Sequence, residues 1–257
     1  MDLTDSHTHL DSKEFDEDRD AVIDRARAAG VTRMLTIGTG NGLDGAERAL
    51  ALAEAYPFVW ASAGVHPHNA GDEIDPILFE KLARHPKVVA IGETGLDFYR
   101  EWAPVDKQYE RFATQIELAK QVKKPLIIHS RCAGEESIKM LGDHNAHEVG
   151  GVFHCFAENA AFAGRLWEMG FYVSFPGLLT FKKAQEVREI CAAIPLEQIL
   201  IETDAPFLAP EPHRGKRCEP AFIVQTAKRL AEIRGLSLEE VAAITTANTL
   251  KLFSHMR

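Results

Sequence analysis

Short runs of apolar and β-branched residues alternate with amphipathic stretches along the whole chain. Strands are predicted at Leu3 to His9, Met34 to Ile37, Val59 to Ala63, Val88 to Ile91, Leu126 to Ile128, Gly151 to Phe153, Phe171 to Phe175 and Ile199 to Ile201. Between them, segments such as Arg19 to Ala29, Asp44 to Ala55, Lys107 to Lys123, Ala160 to Met169 and Lys183 to Ala193 place apolar residues at helical spacing. Regular strand and helix alternation implies parallel strands with helical crossovers. Eight such strands predict an α/β fold closed as a (β/α)8 TIM barrel, with an open doubly wound sheet as the alternative. Helix punctuation agrees: Gly30, Gly170 and Gly235 stand just past helical stretches, and Ser237 with Glu240 forms a capping-box pattern before the last helix.

Composition narrows this picture. The 257 residues, 46% of them hydrophobic, suit one barrel domain over residues 1–257, and no linker or repeat divides them. No run of about 18 apolar residues occurs, and the acidic N-terminus lacks the basic and apolar regions of a signal peptide. A soluble, cytoplasmic protein without membrane association is expected. Cys132, Cys155, Cys191 and Cys218 form no CxxC pair and read as reduced thiols. A net charge of −9 excludes a protein that coats nucleic acid through many Lys and Arg contacts, but not a nuclease. Nothing in the sequence points to an obligate protein partner.

The chemistry sits at the strand ends. His7 and His9 are two apart on the first strand and so face the same side, into the barrel mouth. The same grammar, an apolar strand stopping at a metal-ligand residue type, recurs at Glu93, His129, His154 and Asp204. In a barrel all parallel strands deliver their C-terminal ends to one face, so these six residues converge. Four imidazoles and two carboxylates suit Zn, Mn, Ni or Fe better than Ca, with Mg also open. Six donors exceed one catalytic zinc site and imply two divalent ions sharing a ligand, for which Glu93 is the best bridge. Asp204 is the candidate general base.

With these motifs in place, the sequence resembles the TatD family of metal-dependent deoxyribonucleases, a branch of the amidohydrolase-like barrels. The resemblance covers nearly the whole chain, through Asp5-Ser6-His7-Thr8-His9-Leu10, Gly64-Val65-His66-Pro67, Ile91-Gly92-Glu93-Thr94-Gly95-Leu96-Asp97, Ile128-His129-Ser130-Arg131, Phe153-His154-Cys155-Phe156, Glu202-Thr203-Asp204-Ala205-Pro206-Phe207-Leu208 and Arg214-Gly215-Lys216-Arg217. It implies one ion at His7, His9, Glu93 and Asp204, a second at Glu93, His129 and His154, and hydrolysis of phosphodiester bonds in DNA, often from the 3′ end of single strands. Cys132 replaces a common Asp and Cys218 a common Asn; neither is a ligand position, and both bear on substrate preference.

Around this cluster, His66 at the end of the third strand, Arg131 and Arg214, with Lys216 and Arg217, are candidate phosphate-binding residues. Asp5, Asp97 and Glu202 read as hydrogen-bonding support. Phe98, Tyr99 and Trp102 could stack bases but read first as caps on the barrel, and Cys132 and Cys218 as small half-buried thiols. His68, His85, His144, His147, His213 and His255 read as surface. The competing activity is a barrel metallohydrolase acting on an ester, lactone, amide or D-aminoacyl-tRNA, because the same chemistry attacks carbonyl carbon.

Overall fold

Eight parallel strands follow one another around a single sheet in sequence order: β1 (Leu3–Thr8), β2 (Val31–Thr36), β3 (Val59–Ala63), β4 (Val88–Asp97), β5 (Leu126–Arg131), β6 (Gly151–Phe153), β7 (Phe171–Phe175) and β8 (Ile199–Ile201). This is a computed structural model, and it describes residues 1–100 and 102–256. At the C-terminal ends of β1 and β8, His9 N donates to Ala205 O at 2.7 Å and Asp204 N to His7 O at 2.9 Å, which brings the first and last strands together and closes the ring. The fold is the TIM barrel that the strand and helix pattern predicts.

Helices α1 (Arg19–Ala28), α2 (Asp44–Ala55), α3 (Pro76–Arg84), α4 (Val105–Val122), α5 (Gly134–Asp143), α6 (Ala160–Glu168) and α7 (Gln185–Ala193) join consecutive strands, and α8 (Ile223–Arg234) and α9 (Leu238–Leu252) follow β8. The capping box opens α9 as predicted, with Ser237 Oγ accepting from Glu240 N and the Glu240 carboxylate accepting from Ser237 N. Most apolar side chains pack between strands and helices. Inside the barrel, Leu35, Ile37, Val89, Ile127, Val152 and Leu200 pack with Phe253 and Met256 from the C-terminal end of the chain. Residues two apart on a strand share a face, so Ile127 and Val152 fill the interior below His129 and His154.

Two strands run on past the C-terminal ends that their apolar patterns predict. β4 continues past Ile91 to Asp97, and β5 past Ile128 to Arg131. Apart from Leu96 the extra residues are polar or glycine, yet every residue of β4 is buried. Gly95 has φ +138°, and a Cβ there would stand 2.0 Å from His129 O. Its absence lets β4 and β5 approach where Glu93 and His129 must meet.

Lys124 ties a helix end to the barrel. The residue is 5% exposed, and Nζ donates to Ala83 O and, at 2.8 Å, to His85 O, satisfying carbonyls at the C-terminal end of α3. Lys124→Met leaves those carbonyls without a donor. We expect a loss of about 1–3 kcal/mol in unfolding free energy, measured by denaturant melts at pH 7, where the ammonium is charged because burial lowers its pKa only to about 8. An unchanged midpoint would show that water replaces the ammonium freely.

Candidate metal centre

The C-terminal ends of β1, β4, β5, β6 and β8 bring His7, His9, Glu93, His129, His154 and Asp204 to one mouth of the barrel. Glu93 is 2% exposed and stands at the centre. Its Oε2 lies 3.5 Å from His7 Nε2, and its Oε1 lies 2.9 Å from His129 Nδ1 and 2.7 Å from His154 Nε2. Asp204 Oδ1 completes the other side, 3.5 Å from His9 Nε2 and 3.7 Å from His7 Nε2. The donors therefore fall into two groups, His7, His9 and Asp204 on one oxygen of Glu93, His129 and His154 on the other.

The donor set fits divalent ions. Both ring nitrogens of His7 are buried without a hydrogen-bond partner, a costly arrangement for an imidazole that no second group satisfies. Ligands bonded at about 2.0–2.2 Å to one tetrahedral ion stand roughly 3.4 Å from each other. The 3.5 and 3.7 Å separations around His7 and Asp204 are too long for hydrogen bonds but match that ligand-to-ligand spacing. Burial lowers the His7 pKa, reinforced by nearby His154, so its ring is neutral with a free lone pair. Burial alone would raise Glu93, but the charge of His154, with hydrogen bonds from His129 and His154, holds it well below the usual carboxylate range.

Other carboxylates fix the ring orientations. Asp97 Oδ2 accepts from His129 Nε2 at 3.0 Å and from His68 Nε2 at 2.8 Å, while its Oδ1 accepts from the backbone of Tyr99 and Arg100. An ionised carboxylate only accepts, so Asp97 fixes a proton on His129 Nε2 and leaves Nδ1, which hydrogen-bonds to Glu93 here, as the nitrogen that would give up its proton to an ion. Glu202, buried beneath Asp204, accepts from Cys155 N at 2.8 Å and from Ser174 Oγ, with His154 Nδ1 at 3.5 Å. Asp5 instead latches β1 to the end of β8 by accepting from the Thr203 backbone and hydroxyl, and burial pushes it up to about 8. An Asn at position 97 would turn its amide donors to the rings and drive the His129 proton onto Nδ1. Asp97→Asn is therefore expected to weaken metal affinity of the His129 and His154 group ~10–100-fold while leaving the His7 group intact. Equal loss at both groups in a calorimetric metal titration would contradict this.

Residues 4–254 match the family described as TatD related DNase. The chain belongs to that family. A relative from Bacillus subtilis (strain 168), named as the uncharacterized metal-dependent hydrolase YabD, is 43% identical over 253 residues, covering 98% of each chain. A Salmonella typhimurium protein named 3′-5′ ssDNA/RNA exonuclease TatD is 37% identical over 260 residues, with 98% of each covered. Among solved structures, the TatD homolog YJJV of Escherichia coli superposes with a TM-score of 0.88 at 29% identity over 98% of both chains.

In this TatD-family chain five of the six donors, all but His7, line a cleft of about 960 Å³ built mainly by the loops after β1, β2, β3, β4 and β8. His66 lines it, although not from a strand end: β3 stops at Ala63, and His66 begins a short turn at 67–69. Its Nδ1 accepts from His68 N at 3.1 Å, and its Nε2 lies 3.4 Å from Glu93 Oε1. Burial lowers its pKa to about 4. The neutral ring then has its proton on Nε2, which makes it a donor into the cleft.

Arg131 and Arg214 are not among the residues lining the cleft. Arg131 lies over the Tyr99 ring at 3.9 Å, and Arg214 lies over Phe181 at 3.7 Å while donating to Ala209 O. Arg217 is engaged by Asp18 through two bonds of 2.8 Å, and Lys216 is exposed. The cationic side chains that line the cleft are Lys13, Arg48 and Arg100. His68, read from sequence as surface, lines it too, as does Trp102, read as a cap. His66-x-His68 repeats the His7-x-His9 spacing, but Pro67 removes it from a strand, so the period-two argument did not apply. Cys132 is exposed at φ +54°, a conformation that Asp and Asn adopt more readily, and Cys218 is fully buried; neither is half-buried.

Proposed function

We propose that this protein hydrolyses phosphodiester bonds of DNA, removing nucleotides from single strands in the 3′ to 5′ direction with two divalent ions drawn from Zn, Mn, Mg, Ni and Fe. The observation that carries the reading is Glu93, whose two oxygens face two separate donor groups at the floor of an open cleft. The name of the Salmonella typhimurium relative supports DNA as substrate. His7, His9, Asp204 and Glu93 would hold one ion, and Glu93, His129 and His154 the other. Bound there, the ions would supply Lewis acidity and positive charge at the phosphoryl group.

The protein's own groups do the rest. Burial alone would raise Asp204, but His9 beside it holds it below the usual carboxylate range, so it is ionised and can take the proton of the attacking water. His66 Nε2 donates to a nonbridging phosphoryl oxygen above Glu93. Water adds to phosphorus in line with the sugar oxygen that leaves. Lys13, Arg48 and Arg100 bind the neighbouring phosphates. The four free thiols suit a reducing compartment such as the cytoplasm.

The test is digestion of 5′-labelled and 3′-labelled single-stranded and duplex DNA with each metal, beside a panel of carboxylic esters, lactones and amides. Shortening ladders from the 3′ end that vanish with chelator are expected. Turnover of the panel without DNA cleavage would replace this reading with the carbonyl one.

Arg48 gives a second check. It is half exposed at the cleft and lies 3.6 Å from buried Asp11. Arg48→Ala is expected to raise KM for DNA several-fold, an effect that shrinks as salt rises, whereas Arg214→Ala should leave KM near wild type. The opposite ranking would return the phosphate contact to Arg214.

A further inference from the structure

Large apolar side chains are rarely left in water without reason, and the described residues expose six: Met1, Ile77, Tyr99, Trp102, Trp167 and Phe207. Of these, Trp102 (66% exposed) and Phe207 (54% exposed) line the cleft. Tyr99 is covered by Arg131, and Trp167 packs edge-on against Tyr172 on the outer wall.

The two cleft aromatics come from opposite sides of the ring. Trp102 follows β4 and Phe207 follows β8, and in a closed ring of strands ordered β1 to β8 these stand across from each other. Their neighbours place them against different donor groups. Phe207 lies edge-on to His9 with centroids 6.1 Å apart. Trp102 leans on His68 at 4.4 Å, and His68 shares Asp97 with His129. Each aromatic is supported from below: Gln108 of α4 bonds to Asp97 N and to Ala103 O, pinning both sides of the Trp102 loop, and Phe207 N donates to Asp204 O at 2.8 Å.

The geometry points to a pair of base-stacking platforms, Trp102 and Phe207, that grip the two nucleosides on either side of the scissile phosphate above Glu93. This rests on the phosphodiesterase reading and deepens it: the preferred substrate is an unpaired strand whose last two bases are splayed apart, because paired and stacked bases cannot reach two opposed rings. Stacking on an aromatic is indifferent to base identity, so cleavage should show little sequence preference. Arg100, 5.0 Å from the Trp102 ring, adds a cation beside that platform.

The test crosses protein variants with substrate deletions. Single strands carry a tetrahydrofuran spacer, which lacks a base, at the 3′-terminal or the penultimate nucleotide, and are digested by wild type, Trp102→Ala and Phe207→Ala with Mn present. In wild type each spacer is expected to raise KM by about 5–100-fold, with kcat less affected. Each penalty should disappear in one variant and persist in the other, so that the two variants are complementary. Spacer penalties unchanged in both variants, or one position relieved by both, would overturn the paired platforms while leaving the phosphodiesterase reading intact. Failure of wild type to cleave the unmodified strand would overturn both.

Discussion

Asp204→Asn is expected to lower kcat by ~10²–10⁴-fold, the usual cost of removing a general base, with a much smaller change in KM. The amide keeps nearly the shape of the carboxylate and one carbonyl oxygen, so coordination beside His7 and His9 survives in weakened form. It cannot take a proton. Adding metal therefore restores occupancy without restoring turnover, and the group at His129 and His154, which lies on the other oxygen of Glu93, is unaffected. Recovery to near wild-type kcat at saturating metal would show that Asp204 is a ligand alone. His66 would not be the next candidate, because its Nδ1 is occupied as an acceptor and Nε2 carries the proton.

Glu93→Ala should be more damaging still, reducing DNA cleavage to the level of the chelator-treated wild type. Glu93 is the residue common to both donor groups, and the nearest distances within the cluster, 2.7 and 2.9 Å, are to it. Removing it leaves His7, His9 and Asp204 on one side and two imidazoles on the other, with no carboxylate to balance a second positive ion. Metal analysis by mass spectrometry should find at most one ion per chain. A variant that keeps two ions and most of its activity would require a different bridge.

The convergence of the six donors was readable because strand geometry makes it so. Ile127 and His129, or Val152 and His154, are two apart on strands whose apolar members face the barrel interior, so a polar residue ending such a run faces the mouth. The barrel itself was readable for a related reason, since strands buried on both faces appear as uninterrupted apolar runs. The pattern failed where its premise failed. Gly92 to Asp97 belong to a buried strand but carry a single apolar residue, Leu96, and the pairing with β5 accounts for the burial of the others.

Loop residues were the least legible. Arg131, Arg214 and Arg217 were plausible phosphate contacts because they sit in charged motifs near strand ends, yet each is held by an aromatic ring, a carbonyl or Asp18. Arg48 belongs to α2, far from any motif, and enters the cleft only because the β2 loop folds beside Asp11. The clamps that hold the loops were equally hidden. Gln108 and Gln115, seven apart on one face of α4, bind the backbone of Asp97 and of Val65 in the interior, where sequence periodicity predicts apolar residues. Nothing in a helical pattern says which carbonyl such a side chain will meet.

Anomalous diffraction from crystals soaked in Mn or Zn tests the central claim most directly. Two peaks are predicted, one among His7, His9, Glu93 and Asp204 and one among Glu93, His129 and His154, each at about 2.0–2.3 Å from an oxygen of Glu93. A single peak, or two peaks bridged by any residue other than Glu93, would contradict the account.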